Sequence, residues 1–99
     1  MPEIAAGGFH NCVRRPNARV SCWGWNAFGQ VGIDTAVTVV SSPTTLPNLA
    51  NVTSLALGSR HSCALRTGGD IRCWGRNDRG QLGDGGLSNS AVPVTVVFP

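Results

Sequence analysis

Two stretches of this chain read almost alike: Cys22-Trp23-Gly24-Trp25-Asn26-Ala27-Phe28-Gly29-Gln30-Val31-Gly32 and Cys73-Trp74-Gly75-Arg76-Asn77-Asp78-Arg79-Gly80-Gln81-Leu82-Gly83. They stand 51 residues apart, and the offset holds without a gap back to Ile4 and Leu55. Within that span Gly7 answers Gly58, His10 answers His61, Cys12 answers Cys63 and Arg15 answers Arg66. Beyond Gly83 the copies slip by one residue, so that Pro43 answers Pro93. The chain therefore reads as two tandem copies, repeat 1 over about residues 4–54 and repeat 2 over about 55–98. A period near 50 is a mark of propellers and solenoids, whose units cannot bury their apolar faces alone.

Within each copy, short apolar runs are broken by turn residues, which is the pattern of strands. Ile4–Ala6 and Leu55–Leu57 read as short strands ending in glycine. His61–Leu65 and Ile71–Trp74 flank Thr67-Gly68-Gly69, a tight hairpin signal, and repeat 1 carries Arg15-Pro16-Asn17-Ala18 at the same place. A glycine-punctuated loop follows, and then a fourth apolar stretch, Val92–Val97, whose counterpart, Val37–Val40 with Ser41-Ser42-Pro43, leads on through Leu46 and Leu49 to Val52. Three to four strands per ~50 residues is the make-up of a propeller blade. The expected fold class is all-β: about two four-stranded antiparallel blades of a partial β-propeller.

Composition agrees. Ninety-nine residues and 10.3 kDa allow one modest core. An apolar share of 41% with 13% charged residues argues against a disordered, solvating segment. Thirteen glycines and six prolines leave no room for long helices, and no apolar run reaches the ~18–20 residues of a membrane helix. The start, Met1-Pro2-Glu3-Ile4, has neither the basic nor the apolar region of a signal peptide, so none is expected on this chain. The net charge of +3 comes from eight scattered Arg and no Lys, which argues against nucleic acid as a partner.

His-x-Cys-Ala-Leu followed by Cys-Trp-Gly-x-Asn-x-x-Gly-Gln-Leu-Gly resembles the repeat of the regulator of chromosome condensation family, whose members form seven-bladed β-propellers. The match runs from Ile4 to about Val97, and its Trp-Gly-x-Asn-x-x-Gly-Gln-[Leu/Val]-Gly core occurs at Trp23–Gly32 and again at Trp74–Gly83. The Cys pair in each repeat resembles the bacterial branch more than the eukaryotic exchange factor. The repeat count departs from the family, at about two where the ring needs seven.

Cys12 and Cys22, like Cys63 and Cys73, are separated by nine residues. With turns centred on Asn17 and Gly68, each pair falls directly opposite across its hairpin, close enough for a disulfide. Two alternatives stand beside the disulfides: free core thiols, and a metal held by His10 or His61 with the two Cys of its repeat. The metal reading is weak, since His-x-Cys then nine residues to Cys is not a known ligand spacing and every blade would need its own ion. Disulfides are expected, with no metal and no cofactor, and they place the parent protein outside the cell or at its surface.

No nucleophile or carboxylate recurs beside His10 and His61 to form a triad. No catalytic residue is expected, the chain is not read as an enzyme, and both His are read as hydrogen-bonded structural groups. Asn26, Asn77, Gln30 and Gln81 carry amides suited to pinning the loop backbone. Trp23 and Trp74 alternate with the Cys and should face a neighbouring blade as core. Function should lie where the copies differ inside their fixed frame: Phe9 becomes Arg60, Trp25 becomes Arg76 and Phe28 becomes Arg79. Trp and Arg are enriched in binding hot spots and Phe is common at interfaces. These six residues are the expected binding surface for a protein partner. Two other functions are implied by resemblance: guanine nucleotide exchange on a small GTPase, and enzyme inhibition of the kind practised by a secreted β-lactamase-inhibitor propeller. Two blades also leave open edges and uncovered faces. The chain is therefore expected to be either a fragment of a longer propeller or a unit that assembles with its own copies into a closed ring.

Overall fold

In the computed structural model, which describes all residues except 1, 2, 34, 36, 48, 78, 79, 81, 84, 87 and 97–99, the described chain forms eight strands and no helix. β1 (Glu3–Ala6), β2 (His10–Arg14), β3 (Val20–Trp25) and β4 (Val39–Thr45) make one antiparallel meander. β5 (Val52–Leu57), β6 (His61–Arg66), β7 (Ile71–Gly75) and β8 (Ser90–Thr95) make a second with the same order.

The hairpins form where the turn chemistry directs. In repeat 2, Gly68 and Gly69 both hold positive φ, and Arg66 and Asp70 close the turn through Arg66 N–H donating to Asp70 O at 3.0 Å. Repeat 1 makes the corresponding closure from Arg15 N–H to Arg19 O at 2.8 Å, with Ala18 at φ 64° where repeat 2 has a glycine. The fourth strands start at other residues than the sequence reading gave: β4 runs from Val39 through Ser41-Ser42-Pro43 to Thr45, and β8 from Ser90 through Pro93 to Thr95. Both are edge strands, where a missing N–H costs no ladder bond. β3 and β7 carry the same register shift against them, between Cys22 and Gly24 and between Cys73 and Gly75, so a bulge re-aims Trp23 and Trp74.

The core lies between the sheets. Repeat 1 presents Cys12, Val20 and Cys22, and repeat 2 presents Leu55, Ala64 and Trp74, all nearly or fully buried. Leu46 and Leu49, from the connection between the sheets, join Val52 at the start of β5 in the same buried cluster. That connection is tied to both hairpins: Leu46 N–H donates to Val20 O at 2.9 Å, Val52 N–H to Ala18 O at 3.0 Å and Arg66 Nε–H to Ala50 O at 3.0 Å.

Candidate functional site

The Cys pairs are cross-strand neighbours: Cys12 faces Cys22 and Cys63 faces Cys73 in the registers of their hairpins. Both are disulfides with Cα atoms 4.1 Å apart, the close spacing of a non-hydrogen-bonded pair. With every cysteine sulfur bonded to another, no thiolate is left to hold a metal, and the alternative of free thiols falls with it.

His10 is 1% exposed and bridges the sheets. Ser62 Oγ–H donates to Gln30 O at 2.7 Å, so the Ser62 oxygen accepts the proton on His10 Nε2, also at 2.7 Å. The relay fixes the tautomer and ties β2, β6 and the loop after β3 together. Burial, with the neighbouring His61 imidazole adding to it, lowers the His10 pKa to about 4. Burial lowers that of His61 as well. Ser62, which sequence reasoning passed over, occupies the position of Asn11 in repeat 1. Its only signal was a small hydroxyl residue between a His and a Cys.

The amides hold the loops. Asn26 Nδ2–H donates to Ile33 O and Val37 O, both at 3.0 Å, while its Oδ1 accepts from Val31 N–H at 3.0 Å. Asn77 repeats this with Gly86 O, Ser88 O and Leu82 N–H. Gln30 Oε1 accepts from Phe28 N–H at 2.9 Å. Gln81 lies outside the described residues.

On these pinned loops stands an aromatic ridge. Phe9 lies in the β1–β2 turn and is 52% exposed, Trp25 ends β3, and Phe28 follows in the loop. Phe9 and Trp25 meet edge to face at 5.3 Å between centroids, and Trp25 and Phe28 do so at 5.6 Å. Trp25 N–H donates to Phe9 O at 2.9 Å, which brings the turn and the strand end together. This closeness needs Gly24 (φ 116°), since a Cβ there would stand 2.8 Å from both Phe9 O and His10 Cα.

Repeat 2 then caps the ridge. The Arg60 guanidinium lies 5.5 Å from the Phe9 ring centre and that of Arg76 lies 5.2 Å from that of Phe28. Residues aligned in the sequence as alternatives are thus neighbours in space. The structure brings five of the six predicted residues into one continuous strip across both repeats; Arg79 lies outside the described residues. Most other Arg side chains are engaged within the fold: Arg14 by Glu3, Arg15 by Ser21, Arg19 by Pro47 O, and Arg66 and Arg72 by Asp70.

Trp23 and Trp74 are not alike in this chain. Trp74 is fully buried within the core, whereas Trp23 is only partly buried and packs against the core's margin.

The geometry has counterparts in known proteins. Two models of the regulator of chromosome condensation (RCC1) repeat match this chain, one over residues 3–30 and 52–81 and the other over 17–65 and 69–99. The human probable E3 ubiquitin-protein ligase HERC4 is 36% identical over 93 residues, 92% of this chain and 9% of that protein. The crystal structure of Prp20p from Saccharomyces cerevisiae, studied for its binding to Gsp1p and histones, superposes with a TM-score of 0.89 at 25% identity. It is matched over 97% of this chain and 25% of its own. Human WBSCR16 gives a TM-score of 0.86 at 28% identity, covering 98% of this chain and 26% of its own. The chain thus spans a small part of HERC4 and about a quarter of the two solved proteins.

Proposed function

Because the chain belongs to the regulator of chromosome condensation repeat family and its two sheets are β-propeller blades, we propose that it is a protein-binding element whose contact surface is the Phe9–Trp25–Phe28 ridge with its Arg60 and Arg76 caps. The observation that carries this reading is convergence. Three positions at which an aromatic residue of repeat 1 answers an Arg of repeat 2 meet, so far as they are described, in one strip, with Phe9 half in water. Rings locked edge to face present apolar area at little entropic cost, and a guanidinium held over a ring sets positive charge at its margin. Exposed apolar area bounded by charge is what protein partners bury. Arg79 belongs to the same proposed surface.

The frame beneath the ridge supports binding rather than catalysis. His10 spends its Nε2 proton on Ser62, and Asn26 and Asn77 spend their amides on their own loops. The two disulfides suit an oxidising compartment, and we place the parent protein outside the cell or at its surface.

The test is a comparison of two proteins. Wild type and a Phe9→Ser, Trp25→Ser, Phe28→Ser variant are immobilised in parallel and probed with a Gsp1p-type GTPase, with histones and with extract. Any partner retained by wild type should be lost by the variant while its circular dichroism stays that of the wild type. A folded variant that keeps the partner overturns the ridge as the contact surface. Accelerated nucleotide release from a bound GTPase would make the protein an exchange factor instead.

A further inference from the structure

Backbone hydrogen bonds draw the aromatic ridge and its caps into one compact cluster at the seam between the repeats. In repeat 1, Trp25 N–H donates to Phe9 O at 2.9 Å, and in repeat 2 Arg76 N–H donates to Arg60 O at 2.9 Å. Phe9 and Trp25 therefore stand side by side, one step beyond the His10–Gly24 pair of β2 and β3. Arg60 and Arg76 stand side by side in the same way, one step beyond the His61–Gly75 pair of β6 and β7. A Cβ on Gly75 (φ 111°) would lie 2.7 Å from Arg60 O, so the glycine is what permits that approach. Across the seam Arg60 meets Phe9, Arg76 meets Phe28, and Trp25 touches both rings.

Folding does not require the two cations. Like charges directly opposite across a ladder are destabilising. Repeat 1 makes the same backbone closure with two neutral aromatics, so the geometry is reached without charge. A ring attracts a guanidinium through its quadrupole but has no net charge to neutralise it. Among the described residues, the Arg60 guanidinium meets the Phe9 ring and no oxygen atom. Arg14, Arg15, Arg19, Arg66 and Arg72 each meet one. Both described carboxylates, Glu3 and Asp70, are engaged with arginines of that second group.

We infer that the cluster takes an acidic, apolar segment of a partner protein, with a carboxylate set against Arg60 beside Arg76 and the adjoining apolar side chain laid on Phe9 and Trp25. This rests on the ridge being a contact surface and names what that surface selects. A guanidinium fork matches a carboxylate through two parallel N–H···O bonds. Seated over a ring it is partly withdrawn from water, which strengthens those bonds. The rings supply the apolar half, with Phe9 at 52% exposure. A bare anion would leave that area in water, and a purely apolar segment would leave the Arg60 charge unanswered. An acidic residue beside an apolar one satisfies both. A second copy of the chain is the poorer occupant, because each copy carries a net charge of +3.

The test uses three peptides, acetylated and amidated so that their ends carry no charge. One alternates aspartate with leucine, one asparagine with leucine, and one aspartate with alanine; a short oligothymidylate represents nucleic acid. Isotope-labelled, disulfide-intact protein is titrated and followed by NMR at the Trp25 indole N–H and the Arg60 Nε–H, with the buried Trp74 indole as reference. The aspartate–leucine peptide should shift both ridge signals, leave Trp74 in place, and bind about tenfold more tightly than either other peptide. Its affinity should fall severalfold between about 20 mM and about 300 mM salt. Arg60→Gln should cut the preference for aspartate over asparagine to about threefold or less while the asparagine peptide binds as before. Arg60→Met replaces that variant should its spectrum depart from wild type beyond the ridge. Equal affinity for the aspartate and asparagine peptides, or a folded Arg60 variant that keeps the full preference, overturns the acidic selection and leaves the ridge as a contact surface. Binding that moves neither ridge signal overturns both readings. Failure of every peptide to bind, or tighter binding of the oligothymidylate, overturns the acidic-segment proposal alone.

Discussion

Acidification should weaken this fold well above the pH at which carboxylates ordinarily protonate, and His10 should be the reason. The folded protein holds His10 neutral with a pKa of about 4, against 6.5 in the unfolded chain. Between those values the unfolded state takes up a proton that the folded state refuses, so stability is complete above about pH 6.5 and falls as the pH drops toward about 4. At about 1.4 kcal/mol per pKa unit the full loss is about 3 kcal/mol, of which about 2 kcal/mol has gone by about pH 5. His61, lowered in the same direction by burial, adds to the slope. For a domain near this size, 2 kcal/mol is a fall in Tm of roughly 10 °C. The measurement is urea unfolding under non-reducing conditions, at one low protein concentration, at about pH 7.5 and about pH 5, for wild type and for His10→Gln. The variant starts less stable but loses most of the pH dependence. A wild-type stability unchanged across that interval, or an undiminished slope in His10→Gln, would refute a buried neutral imidazole at the seam between the sheets.

Three further outcomes follow from the same geometry. Mass spectrometry of unreduced protein should find the pairs Cys12–Cys22 and Cys63–Cys73 with no alkylatable thiol, and the double substitution Cys63→Ser, Cys73→Ser should cost about 2–3 kcal/mol in denaturant unfolding. Asn26→Ala strands Val31 N–H, Ile33 O and Val37 O, and should cost about 2–4 kcal/mol by the same assay; a loss below about 0.5 kcal/mol would show that water replaces the amide. Gly24→Ala forces a Cβ into Phe9 O at a positive φ, and should destabilise by more than about 1 kcal/mol and shift the Trp25 fluorescence as the Phe9–Trp25 contact opens.

What the sequence revealed and what it hid have a physical division. The opposition of Cys12 and Cys22 was legible because antiparallel register is arithmetic once the turn is placed. Asn26 and Asn77 were legible as loop anchors because a short amide among glycines has few other uses. The start of β8 was not legible: Ser90 and Ala91 stand before the apolar run on paper, yet the pairing of Ser90 with Gly75 carries the strand back to them. Nor was Arg60 over Phe9. Aligning the repeats sets those two residues in one column as substitutes, while packing the blades sets them side by side. Comparison along a repeat axis identifies equivalents, and only the packing identifies neighbours. Ser62 was hidden for the same reason, since its partner His10 belongs to the other copy.

Both covalent cross-links begin and end within one hairpin, ten positions apart, and neither joins the two sheets. Each repeat is therefore an oxidative cassette complete in itself. Gene duplication or deletion of a whole unit changes the number of thiols by two and never strands an odd one, so the length of the array is free to change without inviting mispaired bridges. Each cassette closes from its own few residues, and no distant cysteine has to be awaited. What holds one cassette to the next is left to shape, buried hydrogen bonds and apolar area, which are features that point mutation can retune one residue at a time.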